Sequence, residues 1–224
     1  MEWSPYLHVK MNCCPTGCLL DKRANWLLAS CSMRIVGGMA GGRLLKVPKG
    51  LAVRPTPDLV KQAVFNSLGD RVAGARVLEL FAGSGALGLE CLSRGALRVV
   101  AVERAARHAA IIRTNLAAAG LPAGQFEMRT QDAFAALTQL REAGERFDLI
   151  LADPPFGDKN VGYRSQSLSQ QLLDHAELPH LVASGGLFIL GHAKRDTLSL
   201  TPSWTEWKVL RHGDSVMRFL RVAQ

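Results

Sequence analysis

A strand pattern that runs directly into closely spaced glycines is the strongest constraint on how this chain folds. Residues 77–90 read VLELFAGSGALGLE, in which Gly83, Gly85 and Gly88 have the spacing G-x-G-x-x-G. Glycines placed after a buried strand let the backbone approach a ligand and open a helix whose N-terminus points at that ligand. The segment therefore predicts a strand, a ligand-binding loop and a helix.

The remainder of the chain repeats this alternation of strand and helix. Apolar strand patterns start near residues 76, 98, 126, 147 and 185, with helical patterns between them, the last around residues 170–177. Residues 204–223 predict a terminal hairpin that turns at Gly213-Asp214. We therefore predict an α/β fold with a doubly wound, mostly parallel sheet and a C-terminal antiparallel hairpin over residues 73–224.

A small basic module over residues 33–72 precedes the predicted sheet. RIVGG and GRLLKVP alternate as two short strands around a glycine turn, and Thr56 and Pro57 suit the N-cap and the first position of a helix. From Met33 to Arg76 there are eight basic and two acidic residues, so this stretch holds most of the net charge of +8. Such a surface attracts a polyanion, although the same residues also suit a solvated face.

Residues 1–32 show no clear period and hold four of the five cysteines, Cys13, Cys14, Cys18 and Cys31. Without a secretory signal we expect reduced thiols, and because no paired C-x-x-C spacing is present, we favour incidental thiols over a zinc site made from these four cysteines. The start lacks the pattern of a secretory signal, and no apolar run reaches the roughly 18 residues of a membrane span. We expect a poorly ordered extension on a cytoplasmic protein, and Met33 is a hypothetical biological start.

The glycine loop alone does not distinguish NAD from S-adenosylmethionine. Glu103, which follows the second strand, can accept hydrogen bonds from the ribose hydroxyls of either molecule. Glu79 lies just ahead of the loop, where an acid would repel the pyrophosphate of NAD but attract the cationic amino and sulfonium groups of S-adenosylmethionine. The acid therefore favours S-adenosylmethionine.

The fourth strand ends in Asp153-Pro154-Pro155-Phe156. The prolines cannot donate backbone hydrogen bonds and hold the chain extended, which leaves carbonyl groups exposed beside the carboxylate. A carboxylate and a carbonyl can accept both protons of an exocyclic amino group while the aromatic ring stacks on a planar base. The loop therefore predicts a socket for an amino group on a heterocycle.

These stretches together resemble the 16S ribosomal RNA guanine-N2 methyltransferases, the RsmD family, from Met33 to about Arg221. The resemblance rests on MRIVGGMAGGRLLKVPKG, RPTPDLVKQAVFNSL, LELFAGSGALGLECLSRGA and LILADPPF. It implies a Rossmann-like S-adenosylmethionine-dependent methyltransferase that needs no metal. The family usually has Thr where Val53 stands, which puts one local contact in doubt, and often Tyr where Phe156 stands, which keeps the stacking ring.

The resemblance also implies a role for each site residue. Asp153 and the carbonyl of Pro154 would orient the guanine amino group, and Phe156 would stack on the base. Asp132 would face the adenine of the cofactor, cap the following helix, or do both, and Asn115 would brace the site or face solvent. The residues expected to bind the methionine part and the ribose of the cofactor are Glu79, Phe81, Ala82, Gly83, Ser84, Gly85 and Glu103.

The resemblance implies that the basic module binds RNA phosphates. We expect a monomer that acts on 16S rRNA. Because the chain has no large extra domain for reading sequence, we expect specificity to come from the shape of the 30S subunit or an assembly intermediate. The residues expected to contact phosphate are Arg34, Arg43, Lys46, Lys49 and Arg54.

Other classes of protein remain as alternatives. A DNA or RNA adenine-N6 methyltransferase would use the same socket, although DNA enzymes of this kind usually carry a target-recognition domain. A glutamine methyltransferase typically has Asn where Asp153 stands. An NAD oxidoreductase is disfavoured by Glu79 and the Asp153 loop, and an RNA-binding module without catalysis is disfavoured by the full set of site residues.

Overall fold

The computed structural model describes residues 33–48, 57–157, 159–160 and 163–223. The expectations for residues 1–32 with their cysteines, and those for Lys49, Arg54 and Thr56, lie outside the described residues. Among the helices that are described, none is long and apolar enough to cross a membrane.

The elements follow the predicted order along the chain. The strands are β1 (Met33–Arg34), β2 (Leu44–Leu45), β3 (Arg76–Leu80), β4 (Arg98–Val102), β5 (Phe126–Arg129), β6 (Phe147–Ala152), β7 (Val182–Ala193), β8 (Trp204–His212) and β9 (Ser215–Val222). The helices are α1 (Asp58–Leu68), α2 (Ala86–Ser93), α3 (Ala106–Ala119), α4 (Ala133–Glu142), α5 (Leu168–Asp174) and α6 (Leu178–Leu181).

Seven of these strands form one sheet in the order β5-β4-β3-β6-β7-β9-β8, and β1 pairs with β2 separately. The pairs among β3, β4, β5, β6 and β7 are parallel, whereas β9 is antiparallel to both β7 and β8. The predicted fold class, a doubly wound and mostly parallel sheet with a C-terminal antiparallel hairpin, is confirmed. Because the strand order reverses between β3 and β6, the carboxyl ends of these two strands border a crevice suited to ligands.

Both faces of the sheet are covered, as the near-continuous apolar strands require. Alternate residues of β3 separate the two cores: Val77 packs with α1, α2 and the β1–β2 hairpin, whereas Leu78 and Leu80 pack with α4, α5 and α6. Glu79 lies between these two leucines in sequence, so it shares the face of Val77 and lies beneath α2.

Two boundaries differ from the sequence prediction. Helix α1 begins at Asp58 and Pro57 is its N-cap, because the Pro57 backbone is extended and its carbonyl accepts the first helical bond, from the N–H of Lys61 at 3.0 Å. The helix predicted around residues 170–177 is α5, which already ends at Asp174, and a second short helix, α6, follows it. The backbone of His175 is extended, with a ψ of 119°, and this interrupts the helical hydrogen bonds.

The β1–β2 hairpin is fastened to α2 by buried side chains of that helix. Glu90 is fully buried and accepts hydrogen bonds from the N–H groups of Val36 at 2.6 Å and Gly37 at 2.8 Å. Ser93 donates to the Gly37 carbonyl at 2.6 Å and accepts from the N–H of Ala40 at 2.9 Å. The hairpin therefore depends on side chains from the first helix of the sheet domain.

Replacing Glu90 by alanine tests this fastening. Glu90→Ala would leave two hairpin N–H groups unsatisfied and would remove the ion pair with Arg94 at 2.7 Å. We expect the free energy of unfolding to fall by about 3–5 kcal/mol, because removing one partner of a buried charged network leaves the other buried groups without hydrogen bonds. Urea unfolding measures this change.

Glu142→Ala is the matched control, since Glu142 is an exposed acid in the last turn of α4. We expect it to change the unfolding free energy by less than about 0.5 kcal/mol. Equal losses in the two variants would contradict the role given to Glu90.

Candidate active site

The loop between β3 and α2 is a tight turn tied to the neighbouring strand. Phe81 has a φ of 56°, the one positive φ at a residue other than glycine in the described structure. Such a conformation costs about 1–3 kcal/mol and persists where the surroundings enforce it. The N–H of Ala82 donates to the Val102 carbonyl at 3.0 Å, and Gly85, with a φ of 76°, is the N-cap of α2. Backbone strain is thus stored in the predicted ligand loop.

Three acids extend from neighbouring strands onto one face of the sheet. Glu79 pairs with Ala101 of β4 and with Leu151 of β6. Because side chains alternate along a strand, Glu103 and Asp153, each two residues beyond these partners, fall on the face of Glu79. Burial is the main cause of the raised pKa of Glu79, and the charges of Glu103 and Asp153 add to it.

The carboxyl group of Glu79 is enclosed beneath the first turn of α2. Its Oε1 accepts from the N–H of Leu87 at 3.2 Å, and its Oε2 is buried without a hydrogen-bond partner in the described structure. A Cβ on Gly88 would lie 2.5 Å from Oε2, so only glycine leaves room for this carboxyl. Burial raises the pKa of Glu79 to about 8, although the N–H groups of Gly88 and Leu87 oppose the shift. The site therefore favours a cationic ligand that would stabilise the ionised form.

Glu103 joins the glycine loop to the end of β4. Its Oε2 accepts from the N–H of Gly83 at 2.9 Å, and its Oε1 accepts from the N–H of Ala105 at 2.8 Å. Nδ1 of His108 lies 3.4 Å from Oε1. Because each carboxylate oxygen has two lone pairs, both can also accept a hydroxyl of a ligand.

Asp132 caps helix α4, as one of the two interpretations of the sequence predicted. Its Oδ1 accepts from the N–H groups of Phe134 at 2.9 Å and Ala135 at 3.3 Å. Both bonds are to Oδ1, so capping is compatible with a ligand contact through Oδ2. The ring of Phe134 packs between Phe81, at a centroid distance of 6.1 Å, and His175, at 5.8 Å. This aromatic row connects the cap of α4 to the strained loop.

The Asp153 loop leaves β6 and crosses the end of β7. A Cβ on Gly191 of β7 would collide with the Asp153 carboxylate, so this glycine permits the acid to lie across the neighbouring strand. Pro154 is buried, whereas Phe156 is only half-buried. The carbonyl of Gly157 accepts from Nε of Arg195 at 3.3 Å, which braces the loop from the same strand end.

Asn115 is buried and braces the site, which resolves the alternative that the sequence left open. Its Nδ2 donates to the carbonyls of Ser84 at 3.0 Å and Lys46 at 2.9 Å, and its Oδ1 accepts from the N–H of Lys46 at 2.8 Å. Ser84 is itself buried and donates to Sδ of Met33 at 3.1 Å. Asn115 therefore links the glycine loop to the basic hairpin, and Ser84 contacts the hairpin as well as the loop.

The basic residues of the hairpin differ in how far they are engaged. Arg43 and Lys46 are exposed. Arg34 donates to Asp58 of α1 at 2.8 Å while keeping about half of its side chain, 54%, exposed. Lys61, which is also one of the eight basic residues from Met33 to Arg76, is instead fully buried, and its Nζ forms an ion pair with Oδ1 of Asp58 at 3.1 Å.

Sequence reasoning did not identify Gly191 or the aromatic partner Phe134. A signal for Gly191 was present, since it interrupts the apolar strand LFIL at the level where Asp153 follows β6. Phe134 directly follows the TQDA stretch, but its partner His175 lies in another loop, which the pattern of residues does not reveal. In the described part of the chain no group of three or more His, Cys, Asp or Glu side chains is arranged to hold a metal ion.

The buried acid makes stability depend on pH in a definite direction. The pKa of Glu79 is about 8 in the folded protein, whereas an unperturbed glutamate has a pKa of 4.5. The unfolded chain therefore loses this proton first as pH rises. Its contribution to stability is therefore fully present below pH 4.5, falls between the two values and is lost above pH 8. For the protein without ligand, we expect Glu79→Gln to remove a slope of roughly 1 kcal/mol per pH unit between pH 5 and 8.

Urea unfolding of both proteins at several pH values measures this difference. Glu142→Gln, at an exposed position on α4, is the control and should keep the slope of the natural sequence. Parallel pH profiles for the natural sequence and Glu79→Gln would show that Glu79 is already ionised in the fold.

Comparison with known proteins identifies relatives of this chain. The family model described as Conserved hypothetical protein 95 matches residues 33–221. The putative rRNA methyltransferase YlbH of Bacillus subtilis is 36% identical over 129 residues, which are 58% of this chain and 70% of that protein. Ribosomal RNA small subunit methyltransferase D of Escherichia coli is 39% identical over 124 residues, which are 55% of this chain and 60% of that protein.

A solved structure has the same architecture over nearly the whole described chain. The putative methyltransferase yhhF from Escherichia coli superposes with a TM-score of 0.69 at 30% sequence identity, covering 86% of this chain and 99% of that chain. The fold is thus that of the methyltransferases, as the motifs predicted. By the match over residues 33–221, the chain belongs to the family described as Conserved hypothetical protein 95, which is the RsmD family.

Proposed function

We propose that this protein transfers a methyl group from S-adenosylmethionine to the exocyclic N2 amino group of a guanine in 16S rRNA. The observation that carries the proposal is the Asp153 loop, where a carboxylate lies across Gly191 and is followed by two prolines and an aromatic ring. The names of the relatives from Bacillus subtilis and Escherichia coli support rRNA methylation as the reaction class.

The acids beside this loop fit the cofactor. Oε2 of Glu79, a buried carboxyl oxygen without a partner in the described structure, suits the ammonium group of the methionine part. Glu103 would accept the ribose hydroxyls, and Oδ2 of Asp132 would accept the adenine amino group. When bound, S-adenosylmethionine supplies an electrophilic methyl group on a sulfonium. The loop from Phe81 to Gly85 would enclose the methionine part, with the N-terminus of α2 beneath it.

The residues of the Asp153 loop would orient the target. The carboxylate of Asp153 would accept one amino proton and the carbonyl of Pro154 the other, while Phe156 stacks on the guanine. The bound donor would supply its methyl group to this nitrogen, and Asp153 or solvent would take the proton that the nitrogen then releases. Because the amino lone pair is delocalised into the ring, most of the rate gain would come from holding the nitrogen in line with the methyl group.

The hairpin would supply contacts to RNA phosphates through Arg34, Arg43 and Lys46, and the segment that follows it would add Lys49 and Arg54. The target base must be reached in a loop or flipped from its stack before it can enter the socket. We propose that a monomer in the cytoplasm acts on the 30S subunit or an assembly intermediate, whose shape would provide the specificity.

Methyl transfer with radiolabelled S-adenosylmethionine tests the proposed reaction. The purified full chain would be mixed separately with unmodified 30S subunits, naked 16S rRNA and duplex DNA, and the products would be analysed as nucleosides. We expect label in N2-methylguanosine, with kcat lower by about 10²–10³-fold in Asp153→Ala because one orienting charge is lost.

Asp214→Ala is the control, because Asp214 is an exposed acid in the turn between β8 and β9. Binding of S-adenosylmethionine by each variant, measured by calorimetry, shows whether the cofactor site is intact. Label in N6-methyladenine would preserve the socket but replace the substrate, and label that survives Asp153→Ala would contradict the role of Asp153.

Charge reversal on the hairpin tests the RNA contacts. We expect Arg43→Glu combined with Lys46→Glu to weaken binding of 16S rRNA at least about tenfold and to make its salt dependence shallower, because phosphate contacts release counterions. Arg113→Glu combined with Arg146→Glu changes the net charge equally at two exposed sites outside the hairpin. Filter binding over a range of salt concentrations measures both effects, and unchanged affinity in the hairpin variant would disprove the assignment.

A further inference from the structure

A tryptophan and two arginines form a compact cluster that shares no residue with the proposed site. Trp207 of β8 keeps 39% of its surface exposed. The guanidinium carbons of Arg71 and Arg221 lie 5.7 Å and 4.9 Å from its ring centroid. The ring of Phe219, on β9, packs against the indole in a T-shaped arrangement at a centroid distance of 6.0 Å. The tryptophan is therefore fixed in place and holds both guanidinium groups at the surface.

The backbone explains why Trp207 is presented in this way. The pairing of β8 with β9 shifts between Glu206, opposite Leu220, and Lys208, opposite Phe219. Trp207 is the additional residue of this β-bulge. A bulge turns a side chain away from the direction that regular pleating would give it. The exposed indole is thus a built feature of the edge strand.

The two arginines of the cluster differ from other arginines of the described structure in their partners. In the described structure neither Arg71 nor Arg221 forms an ion pair, whereas Arg76, Arg98 and Arg218 all bind carboxylates. Glu206, on the same strand as Trp207, is the acid bound by Arg218. Lys208 adds a third positive charge, and its Nζ donates to Ser67 of α1 at 2.8 Å.

We propose that Arg71, Trp207 and Arg221, together with Lys208, form a second surface that binds the phosphates of RNA. A guanidinium stacked on an aromatic ring keeps its N–H groups directed outward in its own plane, where they can bind a phosphate. Holding the arginines in advance lowers the entropy that binding must overcome. The inference rests on the proposed function, since it takes the RNA substrate as the source of the phosphates.

The position of α1 relates this surface to the hairpin. Asp58 at the start of α1 binds Arg34, and Ser67 near its end binds Lys208. The helix has 11 residues, and such a helix is about 16 Å long. An RNA that contacts both surfaces would therefore extend along this face of the sheet, which explains how a chain of this size could grip a large substrate.

Binding of naked, unmodified 16S rRNA without S-adenosylmethionine tests the second surface. We expect Arg71→Gln combined with Arg221→Gln to weaken binding about tenfold and to make the slope of log K against log salt shallower by about 1.4, as for two lost phosphate contacts to single-stranded RNA. Trp207→Leu should weaken binding about threefold without changing this slope, because the charges remain but are no longer held in place.

Arg146→Glu is the matched control, because it alters net charge by the same two units at an exposed site before β6. It should change affinity less than twofold. Thermal unfolding of each variant shows whether the fold is intact, and the double glutamine variant tests the surface even if Trp207→Leu fails to fold. Unchanged affinity in the double variant, or an equal loss in Arg146→Glu, would overturn the proposal.

Further comparisons distinguish RNA contact through this surface from contact with ribosomal protein and from the proposed methyl transfer. A loss of binding to 30S subunits without a loss on naked 16S rRNA would mean that the surface contacts ribosomal protein, which also overturns the proposal. Because binding is measured without the methyl donor, RNA contact through this surface stands or falls independently of methyl transfer. Weaker rRNA binding by the double variant, from a protein that methylates no RNA, would refute the proposed reaction and support the surface.

Discussion

The enclosure of Glu79 beneath the first turn of α2 is the constraint on which the rest of the site depends. Glu79 belongs to β3, at the reversal of strand order, and alternation directs its side chain at the helix rather than into the opposite core. One oxygen is satisfied by a helix N–H, and Gly88 provides the room. The strained turn at Phe81 follows from this geometry, because the chain must reverse sharply to bring the start of α2 over the acid.

The hairpin and the glycine loop form one connected structure through the helices beside them. Glu90 and Ser93 hold the glycine-rich turn of the hairpin, while Asn115 joins Lys46 to Ser84. A displacement of the hairpin therefore changes hydrogen bonds at the loop proposed to bind S-adenosylmethionine. Such shared contacts give RNA and cofactor a physical route by which each can influence the affinity for the other.

Much of the fold could be predicted from local sequence, and parts of the site could be predicted as well. The glycine loop, the alternation of strands and helices, and the turn at Gly213 depend on neighbouring residues, and all were found. The convergence of Glu79, Glu103 and Asp153 follows from the period of two along parallel strands once their order is known. The strand order itself is a tertiary property, so sequence could suggest this convergence without establishing it.

Contacts between distant elements were beyond such reasoning. Whether Asn115 faced solvent depended on where β2 would lie, and the hairpin that contains β2 is held by Glu90 and Ser93 of α2. The break between α5 and α6 depends on a single extended residue, His175, which no periodicity marks. The cluster around Trp207 joins the end of α1 to both strands of the terminal hairpin, and its bulge is a local irregularity in an otherwise ordinary strand.

The same bulge has an effect on the protein in solution. Strand β8 is an edge of the seven-stranded sheet, and an unprotected edge offers a row of backbone groups on which another chain can assemble. The irregular pairing at Trp207 interrupts that row, and the charged side chains of Glu206, Lys208 and Arg211 flank the interruption. The edge is thereby made a poor template for a further strand, which protects a concentrated solution of the protein against aggregation through this strand.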